Sequence, residues 1–256
     1  MQSLAFEVFG DAKNPPLIIL HGFFASARNW RAVAEKLSAT NYVYVLDHRN
    51  HGASFHNAIM DYPTMTTDLW QFIEQQNINT VSLLGHSMGG KVALWFALQY
   101  PKKIDKLIIA DIAPVSYTHC FNTTINALKA VPLANIKNRK QAEECLASAI
   151  PELSYRQFLL QNLVLQNGAY GWRVNLDIFA DNAPHIIAFP NTENTAPFIG
   201  NALFIAGAES NYVKAEDFAQ LFPTAHFSQL PNAGHWLHIQ QPELFISQVA
   251  NFLQQE

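Results

Sequence analysis

The sequence predicts an α/β fold, a mostly parallel sheet flanked by helices, and three observations predict it. Short β-branched or apolar runs alternate with helix-patterned stretches, as parallel strands joined by crossover helices require. One junction stands out: strand-like Val81-Ser82-Leu83-Leu84 runs through Gly85-His86-Ser87-Met88-Gly89-Gly90 straight into a helical pattern, Lys91 to Tyr100. With 256 residues, 49% hydrophobic and only 14% charged, the chain can bury a large core as one domain that carries an inserted subdomain.

Taken in order, strands are expected at Leu4 to Phe9, Leu17 to Leu20, Tyr42 to Leu46, Val81 to Leu84, Lys106 to Ala110, Ala202 to Ala206 and His226 to Leu230. Helices are expected between them at Trp30 to Leu37, Thr64 to Gln75, Met88 to Tyr100, Ala215 to Leu221 and Pro242 to Gln254. The last carries an apolar stripe of Leu244, Phe245, Val249 and Phe252. Between Pro114 and Phe198 the alternation stops: helix-like stretches and several aromatics occur with no convincing strand. This predicts a helical cap over 114–198 inserted into a sheet domain formed by 1–113 and 199–256.

Composition excludes other classes. A net charge of -4, without a basic stripe or aromatic-basic alternation, argues against a nucleic-acid partner. No apolar run reaches the roughly 18 residues of a membrane span, and the first residues show no basic leader before an apolar core. The expectation is a soluble, cytoplasmic protein without a membrane partner; the sequence sets no oligomeric state. Cys120 and Cys145 lack C-x-x-C spacing, so two reduced, buried thiols are expected rather than a metal or redox site.

The chemistry concentrates where strands end, which is where open α/β sheets bind ligands. Gly85-x-Ser87-x-Gly89 between strand and helix holds a serine on a sharp turn, because side chains at either glycine would collide with the neighbouring strand or helix. The helix that follows aims its first amides at the site, so the Met88 amide can receive a developing oxyanion. His21-Gly22-Phe23-Phe24 ends an earlier strand, and the Phe23 amide is the expected second donor. Asp47-His48-Arg49-Asn50-His51-Gly52 matches no metal-ligand spacing and is expected to be a hydrogen-bonded structural loop. Pro231-Asn232-Ala233-Gly234-His235-Trp236 follows the last strand and places His235 to act as general base for Ser87. His119, His185 and His226 have no motif around them, and His238 reads as a helix cap.

These segments, with DYPTMTTDL (61–69), IDKLIIADIAPVSY (104–117) and GWRVN (171–175), make nearly the whole chain resemble the α/β-hydrolases of the bacterial esterase group typified by YbfF. The HG and GHSMGG motifs are common to many hydrolases, whereas RNHG, DIAPV and WRVN are narrower. The resemblance implies an α/β-hydrolase fold and hydrolysis of carboxylic esters or acyl thioesters, acyl-coenzyme A included, without a cofactor or metal. Ser87 would attack the acyl carbon while His235 takes its proton, and a carboxylate would hold the imidazole in the right tautomer.

The acid departs from the commoner arrangement, in which an aspartate follows the late strand. Here Ala202 to Ala206 is followed by Gly207-Ala208-Glu209-Ser210-Asn211-Tyr212, which puts Ser210 where the carboxylate should be and Glu209 one position off. Asp111 ends the strand beside the elbow, and its offset of 24 residues from Ser87 (111 minus 87) matches the resembled group. Asp111 is therefore the expected acid. Substrate contacts are expected from Phe24, His86, Trp172, Arg173, Tyr212 and Trp236, with Trp172 and Arg173 near the pocket mouth. Two other functions fit the same scaffold: a carbon-carbon bond hydrolase or lyase, which would call for fixed polar groups in the cap, and a silent ligand-binding protein, which a serine-directed fluorophosphonate should not label.

Overall fold

In a computed structural model, which describes residues 3–255, the strands in chain order are β1 (Phe6–Phe9), β2 (Pro16–Leu20), β3 (Tyr42–Leu46), β4 (Val81–His86), β5 (Ile104–Ala110), β6 (Leu163–Gln166), β7 (Ala169–Trp172), β8 (Asn201–Gly207) and β9 (His226–Leu230). Seven of them form one sheet in the order β1-β3-β2-β4-β5-β8-β9. Only the β1–β3 pair within it is antiparallel; the other neighbours run parallel. Strand β1 starts later than the sequence predicts, because the Ala5 amide donates to the Ser54 hydroxyl instead of entering the ladder.

The inner strands of the sheet are buried on both faces, as parallel strands covered by crossover helices must be, while the edge strands β1 and β9 are largely exposed. Alternate residues of each strand point opposite ways, so Ile18, Leu20, Leu83, Ile109 and Phe204 join the larger core, while Leu17, Ile19, Leu84, Ile108 and Ile205 join the smaller. On the larger side lie α2 (Tyr62–Gln75) and α3 (Met88–Gln99). On the smaller side lie α1 (Arg31–Leu37) and α10 (Pro242–Leu253), the latter through Phe245, Val249 and Phe252. Asp61 caps α2 by accepting the Thr64 amide, and Pro63 sits in its first turn, so this helix begins two residues before the expected Thr64. The short helices α8 (Ala215–Phe218) and α9 (Leu237–Gln240) flank β9. Where a helix to Leu221 was expected, α8 gives way to turns closed on the Phe218 carbonyl.

Between β5 and β8 the chain carries α4 (Asn122–Lys129), α5 (Arg139–Leu146), α6 (Leu153–Leu159) and α7 (Leu176–Ile187). It also contains a hairpin, β6–β7, that corrects the expectation of no strand in this stretch. Its turn is Asn167-Gly168, both with positive φ (51° and 81°), the backbone that a two-residue hairpin loop demands and that Asn-Gly tolerates. The cysteines also differ from expectation: Cys120 and Cys145 are both exposed free thiols, since neither side chain packs into the core of this segment.

Candidate active site

Strand β4 delivers Ser87 in a strained backbone, φ 53° and ψ -120°, a region costly for a residue with a side chain. The turn is possible because its flanks are bare: a Cβ at Gly89 would lie 2.3 Å from the Leu20 carbonyl oxygen. The Ser87 amide donates to the Ala110 carbonyl at 3.2 Å, and α3 begins at the next residue. Among the described residues no acceptor takes the amides of Met88 or Phe23, and both residues line the same cavity as Ser87.

His235 Nε2 lies 3.1 Å from Ser87 Oγ, and its Nδ1 lies 2.8 Å from Asp111 Oδ2. A carboxylate can only accept, so Nδ1 carries the proton and Nε2 is free to accept the serine hydroxyl. Asp111 is fully buried and itself sits at positive φ, 51°. Its second oxygen accepts the Gly207 amide at 3.0 Å, and Oδ2 also accepts the Ser210 hydroxyl at 2.5 Å. Ser210 is the residue missed as a participant: the position where the sequence lacks a carboxylate supplies a donor to the carboxylate that came from β5. Glu209 is exposed, and its amide is spent on the Ala233 carbonyl.

The loop bearing His235 is fixed from below. His86 Nε2–H donates to the His235 carbonyl at 2.8 Å, and burial with His235 alongside lowers the His86 pKa to about 3, so this ring stays neutral. The Tyr212 ring stacks on the His235 imidazole, centroids 4.1 Å apart. The loop that offers the Phe23 amide is strained at Phe24 (φ 63°), and Asn162 from the segment between β5 and β8 holds the Phe24 carbonyl at 2.8 Å.

Ser87 and His235 open into a cavity of about 370 Å³. Its walls are chiefly apolar or aromatic: Phe23, Phe24, Met88, Ile112, Ile186 and Ile187, with Phe121, Tyr155, Phe158, Tyr212 and Trp236 toward the surface. His86, Phe24, Tyr212 and Trp236 are thus cavity residues, whereas Trp172 and Arg173 are not. Trp172 ends β7 and packs half-buried on the larger core; Arg173 is exposed, and its amide pairs with the Asn162 carbonyl. A tryptophan and an arginine side by side read as recognition in sequence, but the strand turns one inward to core and the other outward to water.

A second group of histidines, His21, His48 and His51, lies buried around the Asp47 loop. Asp47 spends its carboxylate on the amides of Ala27 (2.7 Å) and Ala53 (2.9 Å). Among the described residues no cluster of His, Cys, Asp or Glu could hold a metal ion.

The profile of a family described as "alpha/beta hydrolase fold" matches residues 15–242. The chain belongs to that family. It is 39% identical to the sn-1-specific diacylglycerol lipase ABHD11 of Danio rerio, over 98% of this chain and 83% of the relative. It is 33% identical to Esterase YbfF of Escherichia coli (strain K12), over 94% of this chain and 93% of the relative. Among solved structures, a marine microorganism esterase superposes with a TM-score of 0.94 at 38% identity, covering 98% of this chain and all (100%) of the other.

Proposed function

We propose that this hydrolase cleaves carboxylic esters or acyl thioesters through an acyl-enzyme on Ser87. The observation that carries the reading is the unbroken chain Ser87 Oγ–His235–Asp111, at 3.1 and 2.8 Å, opening into a mainly apolar cavity. The relatives named esterase and lipase support the ester bond as the target. Acyl-coenzyme A and other thioesters belong to the proposal through their shared acyl chemistry.

In the proposed reaction the Ser87 hydroxyl passes its proton to His235 Nε2 as Oγ bonds the acyl carbon. The carbonyl oxygen becomes an oxyanion and takes the amides of Phe23 and Met88, each worth about 3 kcal/mol when well aimed. Asp111 keeps Nδ1 protonated and stabilises the imidazolium. On collapse the leaving alkoxide or thiolate takes the proton from Nε2. Water then gives a proton to the same nitrogen, attacks the acyl-enzyme, and releases the acid and free Ser87. Residues 114–198 act as a cap over the core of 1–113 and 199–256. The exposed free thiols Cys120 and Cys145 support a reducing compartment such as the cytoplasm.

The test is a panel pairing ester with thioester leaving groups across acyl lengths, run beside fluorophosphonate labelling. Wild type should turn over at least one class and label on Ser87, while Ser87→Ala should do neither. Labelling of another residue, or hydrolysis retained in Ser87→Ala, would overturn the reading.

A further inference from the structure

One wall of the cavity holds a buried lysine, Lys91. Lys91 follows Ser87 by one turn of α3, its amide donating to the Ser87 carbonyl at 3.0 Å, so its side chain rises on the nucleophile's side of the helix. The side chain lines the cavity and is 1% exposed. Lys103, Lys129 and Lys214 face carboxylates, but Lys91 Nζ donates instead to the main-chain oxygens of Ile187 and Ala188, both at 2.8 Å. These carbonyls close the last turn of α7, where a helix leaves acceptors unpaired and its dipole favours a positive charge. The rings of Tyr117 and Tyr62 lie 4.6 and 5.6 Å from the ammonium.

The same turn is held twice more: Tyr62 OH donates to the Ile186 carbonyl at 2.6 Å, and the Tyr117 amide to that of Ile187 at 3.0 Å. Ile186 and Ile187 are themselves cavity wall. The leaving group must collect its proton from His235, which is part-exposed between Tyr212 and Trp236, so it takes the open side. With the leaving group on that side, the acyl chain would face the wall of Ile186, Ile187 and Lys91.

We propose that Lys91 is a specificity-determining positioning residue: its ammonium holds the end of α7 so that Ile186 and Ile187 close the cavity and limit the acyl chain it admits. Loss of the charge frees this wall and also removes a polar end that a hydrocarbon terminus avoids, so both effects favour longer chains. Burial lowers the Lys91 pKa to about 7, which puts the clamp's discharge within a measurable range. The titratable groups facing it are Tyr62 from α2 and Tyr117 and His119 from the loop after β5. Burial raises both phenols and lowers His119, so none of the three carries charge beside Lys91 above neutrality. From α7 it meets main-chain oxygens; Asp181 and His185 of that helix are exposed.

The experiment measures kcat/KM for a butyrate and an octanoate ester of one leaving group from about pH 6 to about pH 8.5 and follows their ratio. Any pH dependence of the shared chemical step scales both substrates alike and cancels, so the ratio reports groups that tell the two chains apart. In wild type the octanoate-to-butyrate ratio should rise at least about fivefold across this range. Lys91→Met should show the raised ratio at every pH, without the slope. Tyr62→Phe, which deletes only the bond to Ile186, should raise the ratio by a smaller factor and keep the slope. A flat wild-type ratio overturns the proposal, and so does a Lys91→Met ratio equal to that of wild type at low pH; the wild-type series and Tyr62→Phe decide it if Lys91→Met does not fold. The inference rests on the Ser87 reading, but the two fail separately: hydrolysis retained in Ser87→Ala sinks that reading, whereas a flat ratio in an active enzyme sinks this one alone.

Discussion

The molecule holds two histidine clusters at the carboxyl end of the sheet, and they differ in what their nitrogens meet. In the first, His235 has a carboxylate on Nδ1 and a hydroxyl on Nε2, and its side chain is 21% exposed. In the second, His21 donates from Nδ1 to the Gly22 carbonyl and accepts the His48 amide at Nε2, while His51 donates from Nδ1 to the Arg49 carbonyl. Asp47 is near, yet its oxygen stays 3.8 Å from His21 Nε2. Buried imidazoles bonded to main chain are locked neutral, and they build a loop. One carboxylate at hydrogen-bond distance and one open side set His235, the proposed proton carrier, apart from a structural ring.

The largest expected effect is removal of that carboxylate. Asp111→Asn should preserve shape while favouring the wrong imidazole tautomer, lowering kcat by about 10³- to 10⁴-fold with little change in Tm. A fall of tenfold or less would mean that His235 works without its acid, and the contrast between the clusters would lose its basis. Next is the hydroxyl that shares Asp111 Oδ2: Ser210→Ala should cost roughly tenfold in kcat, the scale of one charge-assisted hydrogen bond, while Glu209→Gln should stay within about twofold. The reverse ranking would put the acid on the loop after β8.

Much of this site was legible because its grammar is local. Strand, Gly85-x-Ser87-x-Gly89 and helix occupy one continuous stretch, and the bare flanks of the turn are needed wherever it occurs. The Asp111–His235 contact was legible from three things: the late loop offered only a misplaced Glu209, the aspartate ends the strand beside the elbow, and its offset from Ser87 matches the resembled esterase group. Ser210 as a donor was not, because a hydroxyl has a role only once tertiary structure brings it 2.5 Å from Asp111 across 99 residues of chain. The β6–β7 hairpin could have been found. Asn167-Gly168 is a strong turn signal, but its strands are four residues each and one contains Gly171, which weakens their periodicity. Trp172 and Arg173 were misplaced for the same reason, since without the hairpin no face could be assigned to either.

The sealed cluster should declare itself in stability rather than rate. Burial holds the pKa of His21, His48 and His51 below the ordinary 6.5, with the latter two well below it. Such a ring binds its proton in the unfolded chain before it does so in the folded protein. The stability it supports is complete above about pH 6.5 and drains away as pH falls, by up to about 1.4 kcal/mol per pH unit per ring. Among the described residues His48 Nε2 has no partner, so His48→Leu should reduce the slope of unfolding free energy between about pH 6 and 5 by close to one proton, measured by denaturant titration. An unchanged slope would show that His48 is already protonated when folded.

The smallest effect is expected where the two clusters' characters meet in one residue. His238 belongs by position with His235, three residues after it, lining the same cavity and 4.8 Å from the His86 ring. By environment it belongs with the sealed rings. It is buried, Nδ1 has no partner among the described residues, burial holds its pKa well below the ordinary value, and it lies flat on Trp30 with centroids 4.2 Å apart. If access to a carboxylate and a nucleophile decides which imidazole reacts, His238 is a stacking plate. His238→Phe keeps a flat ring on Trp30 and deletes an unpaired polar atom, so kcat should stay within about twofold and stability should hold or rise by up to about 1 kcal/mol. A hundredfold loss of kcat in a variant of unchanged Tm would place His238 in the proton path through His86. Proximity to the base would then matter more than bonding partners, and the distinction drawn between the clusters would be the wrong one.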